Sequence, residues 1–285
     1  MLYCWLERMF FMATARDKFW FFGVRPHQDD VYLGMNEKIG RNYPWSRITP
    51  TEGAHMLDVP NMILVNCDGV PAPFSAEAYG YAESFVRMNK VLWSATGSAG
   101  YRAGNEEAFI CDLAQKYPNI TGAFLDDPFH QLKDDPDAIE KASAILKDVR
   151  AGLDKACRPM DIYMVWYTHQ MDSPEMKVLS LADGITLWTS DYRKLTELET
   201  HFERLEREFP NQKKMLGIYM YSFLEFLPVP DEYMQMQCEF GLRMLKEGRL
   251  DGMIFEANSV MGIGLPSEKW LRNWIDKVKD TQIPD

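Results

Sequence analysis

The chain has 285 residues, with 31 Lys and Arg against 42 Asp and Glu for a net charge of −11, and it is 46% hydrophobic. That much apolar material excludes wholesale disorder, and the acidic balance argues against nucleic acid as the main partner, because phosphate binding needs clustered Lys and Arg. No stretch approaches the ~18 consecutive apolar residues of a membrane span, and the length suits two domains of roughly 150 residues or one α/β barrel of roughly 250.

The first segment, MLYCWLERMFFM, is apolar but carries Glu7 and Arg8 in its middle. It lacks the basic start, unbroken apolar run and small-residue cleavage site of a signal peptide. It reads as an extension over residues 1–18 ahead of a folded unit at 19–285, or as translation from an upstream start with Met12 as another initiator. Exposed, its Leu2, Tyr3, Trp5, Leu6, Phe10 and Phe11 would form a sizeable apolar patch, so packing on a second copy of the chain is one expectation. The five cysteines, Cys4, Cys67, Cys111, Cys157 and Cys238, are scattered with no C-x-x-C spacing. Reduced thiols in a cytoplasmic protein are the simplest reading.

From there short β-rich runs alternate with longer amphipathic segments. A run at 19–25 is followed by an irregular stretch with a helix around 51–57. A run at 61–66 precedes a helical segment at 75–88, and a run at 90–95 precedes one at 105–116. The run at 121–126 leads to the longest helical segment, 136–156, where Ala138, Ala142, Ile145, Leu146 and Val149 recur at helical spacing. The run at 161–167 is followed by 173–181, which opens on Ser173-Pro174, a cap and first-turn proline. The run at 184–189 leads to a charged segment at 192–209 that ends at Pro210. The run at 214–221 leads to a helix at 231–246 that stops before Gly248, an expected C-terminal glycine. A last run at 251–257 and a helix at 267–278 close the pattern.

The runs are nearly continuous in apolar residues, as parallel strands covered on both faces must be. Eight strand-helix units predict a single (β/α)8 TIM barrel, with a doubly wound sheet as the runner-up. GVRPHQ stands after the first run where a dinucleotide fold would place G-x-G-x-x-G, and G-x-x-x-x-G-K-[ST] occurs nowhere. No cofactor is expected.

Barrel active sites lie at the C-terminal ends of the strands. The first run ends in Arg25 with His27 beyond it, the fourth in Asp126 and Asp127, the sixth near Asp191, and the eighth in Glu256 and Asn258. Adjacent carboxylates on a strand point to opposite sides, so at least one of Asp126 and Asp127 should face the mouth; the alternative is an Asp paired with Arg25 or capping a loop. Glu256 lies between Phe255 and Ala257, where a carboxylate is costly unless paired or used; a buried salt bridge, with Arg25 for example, is its alternative. Asp191 before a helix can equally be only a cap.

Aromatics gather at the same ends: Trp93, Phe129, Trp166, Tyr167, Trp188, Tyr192, Tyr219, Tyr221 and Phe223. Trp and Tyr pair a flat apolar face with a polar edge, which suits a sugar ring, although about half should simply pack between strand and helix. No His-x-His follows the first run, and a Glu, Asp, His, Glu ligand series over runs five to eight is incomplete, so no metal is expected. His27 and His169 read as substrate contacts. A serine nucleophile has no G-x-S-x-G, and Cys67, though suitably placed, reads as core.

The strand-end pattern resembles barrel glycoside hydrolases, in particular bacterial glycosidase-like barrel proteins. The resemblance is carried by GAFLDDPF (122–129), GIYMYSF (217–223) and EGRLDGMIFEANSVMG (247–262). In α-galactosidase-like barrels one catalytic Asp ends strand four and another ends strand six, which would correspond to Asp126 or Asp127 and to Asp191. The chain departs from the clan with catalytic glutamates, since its fourth run ends Asp-Asp and its seventh in tyrosines. The chitinase-like D-x-x-D-x-D-x-E string is missing, although Leu125-Asp126-Asp127 falls at its place. The resemblance implies cleavage of a glycosidic bond in a small carbohydrate by a carboxyl pair. Asp127, with Asp126 as its alternate, is one expected member; Glu256 and Asp191 compete for the other. Arg25, His27, Trp93, Trp166, His169, Trp188, Tyr219, Tyr221 and Asn258 are the expected substrate contacts. A sugar isomerase, epimerase or lyase, and a non-catalytic carbohydrate-binding barrel, are the other readings.

Overall fold

A computed structural model describes residues 13–26, 46–132 and 135–284. Eight parallel strands close into a barrel. They are β1 (Phe19–Gly23), β2 (Asn61–Leu64), β3 (Lys90–Thr96), β4 (Ile120–Leu125), β5 (Asp161–Tyr167), β6 (Gly184–Trp188), β7 (Lys213–Ile218) and β8 (Gly252–Glu256). Each pairs with its neighbours in chain order, and β8 closes on β1 with Glu256 opposite Phe22. Closure excludes the doubly wound alternative.

Around the barrel run α1 (Pro50–Met56), α2 (Ala76–Ser84), α3 (Glu106–Lys116), α4 (Ala138–Leu153), α5 (Leu198–Glu208), α6 (Asp231–Lys246) and α7 (Pro266–Val278). Their starts follow from local chemistry. Thr49 and Glu52 cap α1 reciprocally around Pro50, and Ser75 accepts the Ala78 N–H at 3.1 Å to start α2. Along α4 the buried residues Ala138, Ala142, Leu146, Val149 and Leu153 form one stripe against the sheet. Gly248, at φ 68°, ends α6 as expected.

Three stretches differ from the periodicity. The segment opening on Ser173-Pro174 is a 3₁₀ helix, Pro174–Leu181, rather than an α-helix. The charged segment splits into a 3₁₀ turn, Tyr192–Glu197, and α5, because Asp191 caps the turn through the Arg193 N–H. The seventh run leaves the barrel after Ile218, and Tyr221–Ser222 pairs antiparallel with Leu227–Pro228 instead.

Strand pleating sorts the core into two clusters. Trp20, Phe22, Ile63, Val65, Leu92, Phe124, Tyr163, Val165, Trp188, Met215 and Ile254 fill the barrel interior. The residues between them, such as Phe21, Met62, Trp93, Ala123 and Phe255, pack outward under the helices. Gly217 makes room inside, because a Cβ there would overlap the Trp188 indole.

Candidate active site at the mouth of the barrel

The interior layers stop at Phe22 and Trp188, whose rings meet edge to face at 5.6 Å. Above them the C-terminal ends of the strands enclose a cavity of about 520 Å³. Asp126, Asp127, Glu256, Tyr167 and Tyr219 all line it.

The pleat explains why. On β8, Ile254 faces inward, so Glu256 two residues later does too. On β4, Phe124 faces inward and so does Asp126. Asp127 would alternate outward, but its left-handed backbone (φ 40°) turns its side chain back to the same cavity. Both members of the Asp pair therefore reach the mouth. The turn is pinned by neighbours: Thr96 accepts the Asp126 N–H at 3.1 Å and its hydroxyl donates to the Asp126 carbonyl at 2.9 Å, while the His130 N–H donates to the Asp127 carbonyl at 2.9 Å. Tyr219 is held through its backbone. Buried Gln237 donates to its carbonyl at 2.7 Å and accepts its N–H at 3.3 Å.

The electrostatics are those of crowded carboxyls with no cation among the described lining residues. Among the described residues Asp126, Asp127 and Glu256 form no ion pair, and no Lys or Arg lines the cavity. Burial, followed by the negative charges of Asp126 and Asp127, pushes the Glu256 carboxyl well above the usual range. Its Oε2 is sealed from solvent with no hydrogen-bond partner, although the residue as a whole keeps some exposure to the cavity. Burial also raises Asp126, helped by the charge of Asp127 and opposed by the Asp127 N–H that points to it. Tyr167 and Tyr219 are phenols raised first by burial, and the Tyr167 hydroxyl lies near both Tyr219 and the Asp127 carboxyl.

The other sequence-derived residues divide sharply. Trp188 stands in the cavity wall with its indole N–H donated to Thr186 Oγ1 at 2.9 Å. His169 and Trp166 border an adjoining cavity, with His169 stacked on Tyr167 at 5.3 Å. Trp93 faces the helix layer, 5.6 Å from Phe109, because it has the outward parity on β3. Tyr221 is buried against Phe223 and borders neither cavity. Asn258 is wholly buried; it takes the Val24 N–H at 2.8 Å and donates to the carbonyls of Val24 and Ile48, clasping the loop after β1. Arg25 donates to the Cys67 carbonyl at 3.3 Å and to Asp68 Oδ2 at 3.1 Å, so its described ion pair is with Asp68, a carboxylate on the cavity wall after β2, and not with Asp126, Asp127 or Glu256. Asp191 lies away from the mouth. It caps the 3₁₀ turn and bonds Arg193 Nε at 2.8 Å, which holds its carboxyl below the usual range. His27 lies outside the described residues.

Sequence reasoning left Tyr167 among the strand-end aromatics without assigning it to substrate. Its inward parity with Val165 was the available signal. Asp68 carries the same strand-end signal, at the close of the second run, whereas nothing local marks Gln237 or Ser98 as belonging near the mouth. Cys67 lines the cavity, but burial and the neighbouring Asp68 raise its thiol to about 11, which leaves it a poor nucleophile. Among the described residues no three His, Cys, Asp or Glu side chains come together as metal ligands.

No family profile and no curated protein matches the sequence. Solved structures do match the fold. The glycoside hydrolase domain of PgaB (BpsB) from Bordetella bronchiseptica aligns over 93% of this chain and 99% of its own, with 11% identity and a TM-score of 0.50. The GH99 endo-alpha-mannosidase from Bacteroides thetaiotaomicron aligns over 92% and 97%, with 10% identity and a TM-score of 0.51. A tryptophan synthase alpha-subunit from Pyrococcus furiosus aligns over 94% and 99%, with 13% identity and a TM-score of 0.49. The likeness to the first two, at such identities, shows the fold alone, a TIM barrel, and the chemistry must come from the site.

Proposed function

We propose that the protein is a glycoside hydrolase whose mouth carboxyls cleave a glycosidic bond. The observation that carries this reading is the convergence of Asp126, Asp127 and Glu256 in one aromatic-walled cavity with no cation among its described lining residues. Glycoside cleavage needs one carboxyl that holds a proton for the leaving oxygen and one that works as a carboxylate, as nucleophile or as base to a water. Environments that drive two carboxyls apart supply that division.

Glu256 is the proton donor. It is the carboxyl raised by burial and by both aspartates, an environment that favours its protonated form. Asp127 is the carboxylate partner, oriented by its left-handed turn and by the His130 N–H that holds its carbonyl. Asp126 is buried beside them, its carboxyl raised by burial and by the charge of Asp127. Tyr219, partly exposed and backed by Trp188 at 5.1 Å, offers an apolar ring face to the C–H face of a sugar. Two of the structurally similar barrels are glycoside hydrolases, which agrees with the reading but carries the fold only.

The test is hydrolysis of a panel of glycosyl fluorides and uncharged disaccharides by the wild type, Asp127→Asn, Glu256→Gln and, as a control, Asp191→Asn. General acid-base catalysis contributes about 10²–10⁴-fold, so each of the first two variants should lose activity on the disaccharides within that range while Asp191→Asn stays near wild type. Saccharide binding without turnover by the wild type would instead favour a non-catalytic carbohydrate-binding barrel. Full turnover by Asp127→Asn would exclude the assignment.

A further inference from the structure

A second cavity of about 560 Å³ adjoins the first and shares Asp127, Val165, Tyr167 and Tyr219 with it. Each cavity alone has the volume of a ligand site, about 300–1,000 Å³. The one carboxylate common to both, Asp127, stands at their junction.

The far wall of the second cavity has its own chemistry. His169 stacks on Tyr167 with the planes 22° apart, and Phe129 lies beyond it against Trp166. Ser173 contributes a hydroxyl that donates to Glu175, and Leu224 forms an apolar rim, 57% exposed on the hairpin loop after β7. Burial lowers the His169 imidazole, against the pull of Asp127, so the ring is uncharged at neutral pH. No Lys or Arg stands among the described lining residues. Flat rings, hydroxyl and amide groups, the carboxylates of Asp127 and Glu175, and no Lys or Arg among the described lining residues suit an uncharged pyranose rich in hydroxyl donors and give a carboxylate-bearing sugar no partner there.

We infer that the substrate is an uncharged oligosaccharide of at least two sugar units, one in each cavity, with the bond to be cleaved lying beside Asp127. The inference rests on the hydrolase reading and adds the second site to it. A sugar with a single small substituent would leave the His169 cavity unused. A chain of neutral sugars would gain binding there and lose it when that cavity is filled.

The experiment fills the second cavity from two sides, with Ser173→Trp and Leu224→Trp, and measures kcat/KM on neutral disaccharides of glucose, galactose, mannose and N-acetylglucosamine. Disaccharides carrying a uronic acid are measured beside them. The expected result is a loss of tenfold or more in kcat/KM on the neutral disaccharide that the wild type cleaves, with the melting temperature of Leu224→Trp unchanged. Leu224 is exposed, so this variant keeps the test open should Ser173→Trp misfold. Wild-type turnover that persists within twofold in both folded variants overturns the second site and leaves the hydrolase reading standing. Preference for the uronic acid substrates overturns the neutral-sugar assignment. A wild type that cleaves none of the glycosides or glycosyl fluorides overturns the hydrolase reading and the inference with it.

Discussion

Glu256 occupies a position where an ionised carboxylate is expensive, and burial, then the charges of Asp126 and Asp127, raises its carboxyl well above the ordinary range. That has a consequence for stability. In the unfolded chain the group titrates near the ordinary 4.5, and in the folded chain well above it. Between those two pH values the folded state holds a proton that the unfolded state has released. The stability it contributes is full below the ordinary value and is lost as pH rises through the folded one. Glu256→Gln cannot ionise and escapes that loss. Its melting temperature should therefore gain on the wild type as pH is raised from 5 to 9, followed by scanning calorimetry. Parallel curves would show that Glu256 titrates normally. The same residue shows what a sequence discloses: a Glu flanked by Phe255 and Ala257 at a strand end signals a costly carboxylate. Asp127 was an expected mouth carboxylate, but that both members of the Asp pair reach the mouth was not legible, since simple alternation sends one outward and only the left-handed turn at 127 brings both in.

At the scale of elements, periodicity located all eight strands to within a few residues, because buried parallel strands are apolar throughout. Which strand-end side chain reaches the mouth depends on parity, and parity was available but easily overridden by residue type. Trp93 and Trp166 carry the outward parity of β3 and β5, whereas Trp188 carries the inward one. Loops were least legible, since their contacts are long-range. Asn258 follows β8 yet binds Val24 and Ile48, more than 200 positions away in sequence. Its role is to tie the loop after β1 to the loop after β8, and Asn258→Ala should leave the Val24 and Ile48 groups unsatisfied. The expected cost is about 1–3 kcal/mol, read as a lower urea midpoint with an unchanged slope. An unmoved midpoint would mean that water replaces the side chain without loss.

Across the whole molecule the two ends of the barrel are built for different ends. At the N-terminal face Ala13–Thr14 pairs with Gln282–Ile283, and Arg16 and Lys279 both bind Asp58, at 2.7 and 3.1 Å, joining the start of the described chain to its last helix. Stabilising contacts there leave the opposite face to the crowded carboxyls, as barrel architecture favours. No described helix is long and apolar enough to cross a membrane. The central claim is that this mouth keeps a protonated carboxyl beside a working carboxylate. The direct measurement is a ¹³C NMR titration of the side-chain carboxyls in wild type, Asp126→Asn and Glu256→Gln. Two resonances that titrate well above the ordinary carboxyl range, one lost in each variant, are the predicted result. A wild type in which every Asp and Glu carboxyl has ionised by pH 6 would contradict it, and with it the proton-donor role of Glu256.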